Sequence, residues 1–231
     1  MPAPMPILEF DDVTKGFWLH GAWRAVIRGL TLSLPPGRAL GLLGRNGAGK
    51  TTLLDLVAGR LRPDSGRIWR GGSVSFPVGF AAGFHRDLSG AQNIRFLARV
   101  YGVDSDALVA FVEDFTELGA QFHAPLRSYS TGMRARLGFG ASMGLPFDLY
   151  LIDEATAVGD VQFRHKSRAL FRARMRAASG IMVSHNPNDL RKFCDGGIVL
   201  HQGRLLYFDQ IDEAIRTHED LLRRTPAGPE G

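Results

Sequence analysis

The chain holds one cysteine, Cys194, among 231 residues, so no internal disulfide can form and stability must come from a packed core. The opening stretch Met1–Phe10 has no basic segment leading into an apolar run, so no export signal is visible. Together with the lone thiol, this predicts a reducing, cytosolic setting. Long apolar runs are also missing. The longest, Leu137 to Phe147, contains Pro146 and ends at Asp148, well short of the ~18 unbroken apolar residues of a membrane span. Lysine is scarce: Lys15, Lys50, Lys166 and Lys192 are the only ones, and none follows an asparagine, which removes the Asn-Lys-x-Asp signature of guanine-nucleotide binders. The histidines lack metal-ligand spacing, so no zinc site is expected. What is present is ordinary for a globular chain, with 45% hydrophobic and 22% charged residues, which excludes a disordered or collagen-like polymer. A net charge of +5 leaves nucleic-acid phosphate or an anionic membrane surface open as partners, against the plainer reading of a basic solvated face.

Leu30, Leu32 and Leu34 alternate with Thr31 and Ser33, a period of two that predicts a half-buried strand closed by the Pro35-Pro36-Gly37 turn. A second strand, Ala39–Leu43, runs straight into Gly44-Arg45-Asn46-Gly47-Ala48-Gly49-Lys50-Thr51. Leu53, Leu54, Leu56 and Val57 then take helical spacing, and Gly59 supplies a stop. Ser89 with Gln92 three residues on forms a capping box that opens a helix to about Tyr101-Gly102. Another helix is predicted from Asp104 to Gly119. A third starts near Ser130, with Met133, Leu137 and Ala141 on one face, and ends at Pro146. Residues 87–146 therefore read as a helical insertion within one domain spanning 1–231. Strand patterns resume at Leu149–Ile152, at Ile181–Val183, and in a hairpin Ile198–His201/Leu205–Phe208 around Gln202-Gly203. Strands alternating with helices predict an α/β core.

Gly44 to Thr51 satisfies the phosphate-loop pattern G-x-x-x-x-G-K-[ST] between a buried strand and a helix N-terminus, where its mechanism requires it. Gly44, Gly47 and Gly49 let the backbone wrap phosphate oxygens, Lys50 reaches the β- and γ-phosphates, and Thr51 offers a hydroxyl to Mg²⁺. In Leu149-Tyr150-Leu151-Ile152-Asp153-Glu154, an apolar strand ends in two carboxylates whose side chains point in different directions. Asp153 is the candidate Mg²⁺ partner and Glu154 the candidate general base for water; a plain helix N-cap is the competing explanation. Tyr129-Ser130-Thr131-Gly132-Met133 is by itself a capped helix start or an anion site. His185 ends a strand as a polar tip facing either solvent or a γ-phosphate. Phe163 to Arg176 interleaves apolar and basic residues at helical spacing, which suits a core-packed helix better than a lipid or nucleic-acid contact.

In these ordered motifs, over about Ile7 to Arg216, the sequence resembles the nucleotide-binding subunits of ABC transporters. The resemblance implies a P-loop NTPase (RecA-like) core with an antiparallel β subdomain and an α-helical insertion. It makes Gly44–Thr51 the Walker A loop, so that Gly44, Asn46, Gly47, Ala48, Gly49, Lys50, Thr51 and Thr52 contact the nucleotide. Leu149–Glu154 becomes Walker B, with Asp153 and Thr51 on the metal, Tyr129–Met133 the signature, Ala155–Asp160 the D-loop and His185 the switch histidine. Glu154, His185 and Lys50 are then the catalytic set. Phe17 stands where an aromatic stacks on adenine, with Trp18 and Trp23 as fallbacks. ATP and Mg²⁺ are the implied cofactors. The implied assembly is a head-to-tail homodimer in which Ser130 and Gly132 close the partner's site, docked on transmembrane permease subunits at the cytoplasmic face of the bacterial inner membrane, with no nucleic-acid partner. A soluble relative acting on nucleic acid would carry tandem cassettes or coiled-coil insertions, which this chain lacks.

Tyr-Ser-Thr-Gly-Met, Asp-Glu-Ala-Thr-Ala-Val-Gly-Asp and Gly83-Phe84-His85-Arg86-Asp87-Leu88-Ser89-Gly90 narrow the resemblance to exporters of capsular and related surface polysaccharides. The chain ends soon after the core, which suits the short capsule type over O-antigen exporters with a carbohydrate-binding C-terminal domain. O-antigen, teichoic acid or drug export is the alternative. One departure stands out: the glutamine usual between Walker A and the insertion is absent, since the first Gln after Lys50 is Gln92, and its place falls near Phe80–Ala82.

Overall fold

Leu8–Leu19 (β1) and Ala22–Leu34 (β2) fold back on each other through the two-residue turn His20–Gly21, both at positive φ, the geometry that matches strand twist in a tight hairpin. The ladder is irregular. Its register shifts between Phe10 and Val13, and again around Lys15, with Asp12 at φ 46° and Gly29 at φ 53°. There the Thr14 and Thr31 hydroxyls accept the N–H groups of Gly29 and Asp12, at 3.0 and 3.1 Å, in place of ladder partners. This is why alternation was readable only over Leu30–Leu34, although β2 is 13 residues long. The computed structural model describes residues 5–78, 83–153 and 160–224. The chain divides into two units, one of Met1–Val74, Asp148–Glu154 and Met175–Gly231, the other of Ser75–Phe147 and Ala155–Arg174.

In the first unit, Ala39–Leu43 (β3) leads through the glycine loop into Lys50–Val57 (α1), and Ser65–Arg70 (β4) completes a three-stranded antiparallel sheet in the order β2-β1-β4. Arg70 reaches from β4 to the end of α1, where its guanidinium donates to the Val57 and Leu56 carbonyls at 2.7 and 2.6 Å, satisfying groups that a helix C-terminus leaves open. Leu53, Leu54, Leu56 and Val57 are buried, each contributing roughly 1.5–3 kcal/mol of transfer free energy.

The second sheet of this unit collects Leu149–Asp153 (β5), Ser179–Val183 (β6), Gly196–His201 (β7) and Arg204–Phe208 (β8) around β3, in the order β5-β6-β3-β7-β8. All neighbours are parallel except β7 and β8, which form the hairpin predicted around Gln202-Gly203. β3 and β6 are buried along their whole length, as parallel strands covered on both faces must be. A C-terminal helix, Ile211–Arg224, escaped the sequence pattern. It packs where Gly197 and Gly41 leave no side chain: a Cβ on Gly197 would lie 2.4 Å from Ala214, and one on Gly41 2.8 Å from Ile211.

The second unit is helical, with Gly90–Val100 (α2), Ser105–Thr116 (α3), Thr131–Gly144 (α4) and most of Val161–Ala177 (α5). The capping box opens α2: Ser89 Oγ accepts the Gln92 N–H and Gln92 Oε1 accepts the Ser89 N–H. The helix expected to reach Gly119 ends at Thr116, because Glu117 turns into the left-handed region and two 3₁₀ turns follow. Phe115 stacks on Phe139 of α4 at 5.9 Å and meets Phe163 of α5 edge-on at 5.2 Å. Phe163, Ser167, Phe171 and Met175 form the buried stripe of α5, leaving Arg168, Arg172 and Arg176 exposed. No helix among the described residues is long and apolar enough to cross a membrane.

Candidate functional site

The parallel order β5-β6-β3 sets three chain-distant segments side by side at the carboxyl ends of their strands: Asp153 ends β5, Ser184-His185 follow β6, and Gly44 follows β3. A cavity of about 430 Å³ opens there. Asn46, Gly47, Gly49, Lys50, Thr51 and Thr52 line it from the glycine loop and α1, Asp153 and His185 from the strand ends, and Phe17 from β1. Gly44 and Ala48 do not line it. Gly44 serves through its carbonyl, and Ala48 packs against the core beneath.

The loop conformation follows from its glycines. Gly47 (φ 76°) and Gly49 (φ 102°) adopt left-handed backbone, and Gly49, at the N-cap of α1, brings no side chain to the first-turn N–H groups. Those donors and the helix dipole face the cavity mouth as an anion cradle. Lys50 Nζ donates to the Gly44 carbonyl at 2.7 Å and the Arg45 carbonyl at 3.1 Å, holding its ammonium inside the loop's curve. The Thr51 hydroxyl and Asp153 carboxylate, both on exposed residues of the cavity wall, offer oxygen donors of the kind Mg²⁺ takes while sharing phosphate oxygens and water.

Phe17 is placed by a clamp that sequence reading missed. Asp64 accepts from Lys15 Nζ at 2.6 Å and from the Gly16 N–H at 2.8 Å, and the Lys15 ammonium lies 5.6 Å from the Phe17 ring centroid. The Lys15 hydrogen bond, then the Gly16 N–H, hold the Asp64 carboxyl below its usual range. Val26 and Val183 complete the wall with apolar surface. No local pattern marks Val26, because it sits in the part of β2 with no alternation. His218 of the C-terminal helix is pushed below its usual value by burial and then by the Lys50 charge.

Ser130 and Gly132 belong to the second unit, on a cavity of about 650 Å³ shared with Glu117, Met133, Arg136 and Asp160. Ser130 is the N-cap of α4, its Oγ accepting the Met133 N–H at 3.2 Å. Asp160 caps the start of α5 through the Phe163 N–H at 2.9 Å and pairs with Arg136. The Phe163 N–H bond is the first cause of its lowered carboxyl pKa. Glu154 and residues 155–159 of the predicted D-loop lie outside the described residues, as does the Phe80–Ala82 position of the missing glutamine.

A family model described as ABC transporter matches residues 27–157. The chain is 40% identical over 221 residues to the polysialic acid transport ATP-binding protein KpsT of Escherichia coli, covering 93% of this chain and 99% of that one. It is 38% identical over 215 residues to the capsule polysaccharide export ATP-binding protein CtrD of Neisseria meningitidis, covering 93% and 100%. Among solved structures, the dimeric post-hydrolysis state of an ATP-binding cassette bound to ADP and Pi shares the fold, with a TM-score of 0.74 at 16% identity over 88% of this chain and 98% of that chain.

Proposed function

Since the chain belongs to the ABC transporter family, we propose that it is the ATP-hydrolysing subunit of an exporter of capsular polysaccharide, folded as one nucleotide-binding domain with a helical subdomain at about 87–146. The observation that carries the reading is the meeting of Phe17, Lys50, Thr51, Asp153 and His185, from four separate stretches of sequence, around one cavity. The loop N–H groups and Lys50 bind the phosphates of ATP, and Phe17 stacks on the adenine. Thr51 and Asp153 would hold Mg²⁺, which would supply charge neutralisation to the phosphates. Glu154 takes a proton from the attacking water as its oxygen bonds to the γ-phosphorus and the bond to the β-phosphate oxygen breaks. His185 contacts the γ-phosphate from the end of β6.

One copy is an incomplete site. In the proposed head-to-tail pair, Ser130 and Gly132 of each copy close the cavity of the other, and closure and reopening drive membrane-spanning permease subunits that carry the polymer. The chain then works as a peripheral subunit at the cytoplasmic face of the inner membrane. Phosphate release measured against protein concentration tests the dimer requirement: specific activity rises with concentration, and strict proportionality of rate to protein would refute it. Glu154→Gln tests the base, with ATP binding retained and turnover cut by on the order of 10²–10⁴. In cells, that variant with its permease leaves polysaccharide inside, whereas normal surface polymer would overturn the export reading.

A further inference from the structure

Beyond Phe17 the β1–β2 hairpin continues to a tip with unusual exposure. Trp18 is 74% exposed, Leu19 48% and Trp23 45%. Trp18 pairs across the ladder with Trp23, and Leu19 with Ala22, so the two pairs point to opposite faces of the ribbon. Both faces of the tip are therefore apolar and open. A ligand lying on one face would cover one pair and leave the other in water; immersion of the tip covers both.

Along the β2 side of the hairpin, the charged residues that line its grooves are basic. Two grooves of about 870 and 500 Å³ share Arg28 and Gln202, the first also lined by Trp23 and Arg24, the second by His201 and Arg204. The Arg28 N–H donates to the Gly203 carbonyl at 2.8 Å, which fastens β2 to the β7–β8 turn and brings these arginines together. Among the described residues, no carboxylate lines either groove. Amphipathic indoles at a tip with arginines behind it match the layering of an anionic bilayer surface, where tryptophan sits at headgroup depth and guanidinium groups meet phosphate.

We propose that the hairpin tip Trp18-Leu19 enters the headgroup layer of an anionic phospholipid membrane while Arg24, Arg28 and Arg204 pair with lipid phosphates. This contact is direct and separate from docking on a permease. The test is flotation of the full chain with phosphatidylglycerol–phosphatidylcholine vesicles against phosphatidylcholine alone. Binding to the anionic vesicles is expected, weakening as salt rises. The triple variant Arg24→Glu, Arg28→Glu, Arg204→Glu should bind at least about 100-fold more weakly, from about fivefold per basic residue removed, with its far-ultraviolet circular dichroism unchanged.

A second readout does not depend on that variant. Lipid brominated near the headgroup should quench tryptophan emission, and the double variant Trp18→Phe, Trp23→Phe should remove most of the quenched signal while Trp69→Phe should not. Equal binding to neutral vesicles, wild-type binding by the triple variant, or quenching carried by Trp69 would overturn the proposal. So would arginine-dependent capture of soluble inorganic polyphosphate with no vesicle binding, which would assign the grooves to a free phosphate ligand.

Discussion

Ser130 offers a test in which stability and activity move in opposite directions. Its Oγ accepts the Met133 N–H at 3.2 Å, and α4 has no acidic residue in its first turn. Ser130→Ala removes the cap and should cost about 1 kcal/mol, lowering Tm by about 2–4 °C for a chain of this size. Ser130→Asp keeps the cap and adds an anion at a helix N-terminus, which stabilises by about 0.3–1 kcal/mol, so its Tm should equal or exceed that of the unmodified chain. If Ser130 faces the triphosphate held by a second copy, the same aspartate sets like charge against like. At about 4 Å and an effective dielectric near 20, that is worth up to about 4 kcal/mol, so turnover should drop by about 10²–10³. Ser130→Ala loses one charge-assisted hydrogen bond and should lose about 10-fold or more in turnover. Differential scanning fluorimetry reads the first quantity and steady-state phosphate release the second. Ser130→Asp turning over within about threefold of the unmodified chain would reduce Ser130 to a helix cap and remove the signature role.

Lys50→Met removes the ammonium that bridges the Gly44 and Arg45 carbonyls and should weaken ATP binding by about 10–150-fold, the worth of one charge-assisted contact; unchanged affinity by equilibrium dialysis rejects the phosphate-loop assignment. Gly49→Ala should destabilise more than Gly47→Ala. Both pay about 1–2 kcal/mol for left-handed backbone, but a Cβ at 49 would meet Val26 Cγ1 at 2.2 Å while one at 47 meets nothing within 4 Å, so equal losses of Tm would contradict the loop geometry. Cys194, pushed up to about 12 by burial and then by the Asp195 charge, should react with a thiol reagent at pH 8 about 10³-fold more slowly than a free cysteine until the chain unfolds. Folding keeps its proton, so the stability it contributes is whole below about pH 9 and is lost as pH climbs toward 12; fast labelling of the native chain would refute its burial.

The features legible in the sequence are those whose chemistry is local. The capping box at Ser89, the phosphate loop and the Gln202-Gly203 turn each lie within a few residues, and each needs a particular residue type for a reason the backbone supplies. Predicted ends failed where local signals compete, as at Glu117, whose left-handed turn stops α3 before the glycine that was expected to do so. β1 stayed hidden because bulges at Asp12 and Lys15 break the period of two, and β4 because none of its six residues is fully buried, so neither shows a clean alternation. Phe17 was found by resemblance, while the reason it stands where it does, the Asp64 clamp, joins residues 48 apart and leaves no periodic trace.

The cavity illustrates the same division at a larger scale. Each motif states which group it contributes, but none states which strand lies beside which. With β6 between β5 and β3, His185 stands between Asp153 and the glycine loop. Exchanging β6 with β7 in the sheet would leave every motif intact and move the histidine to the far side of the loop from Asp153. What selects the observed order is the fit between covered faces: Gly180 of β6 admits Met175 of α5, whose sulfur would lie 2.7 Å from a Cβ there, and Gly197 of β7 admits Ala214 of the C-terminal helix. The arrangement around the cavity therefore leans on two glycines that do not line it.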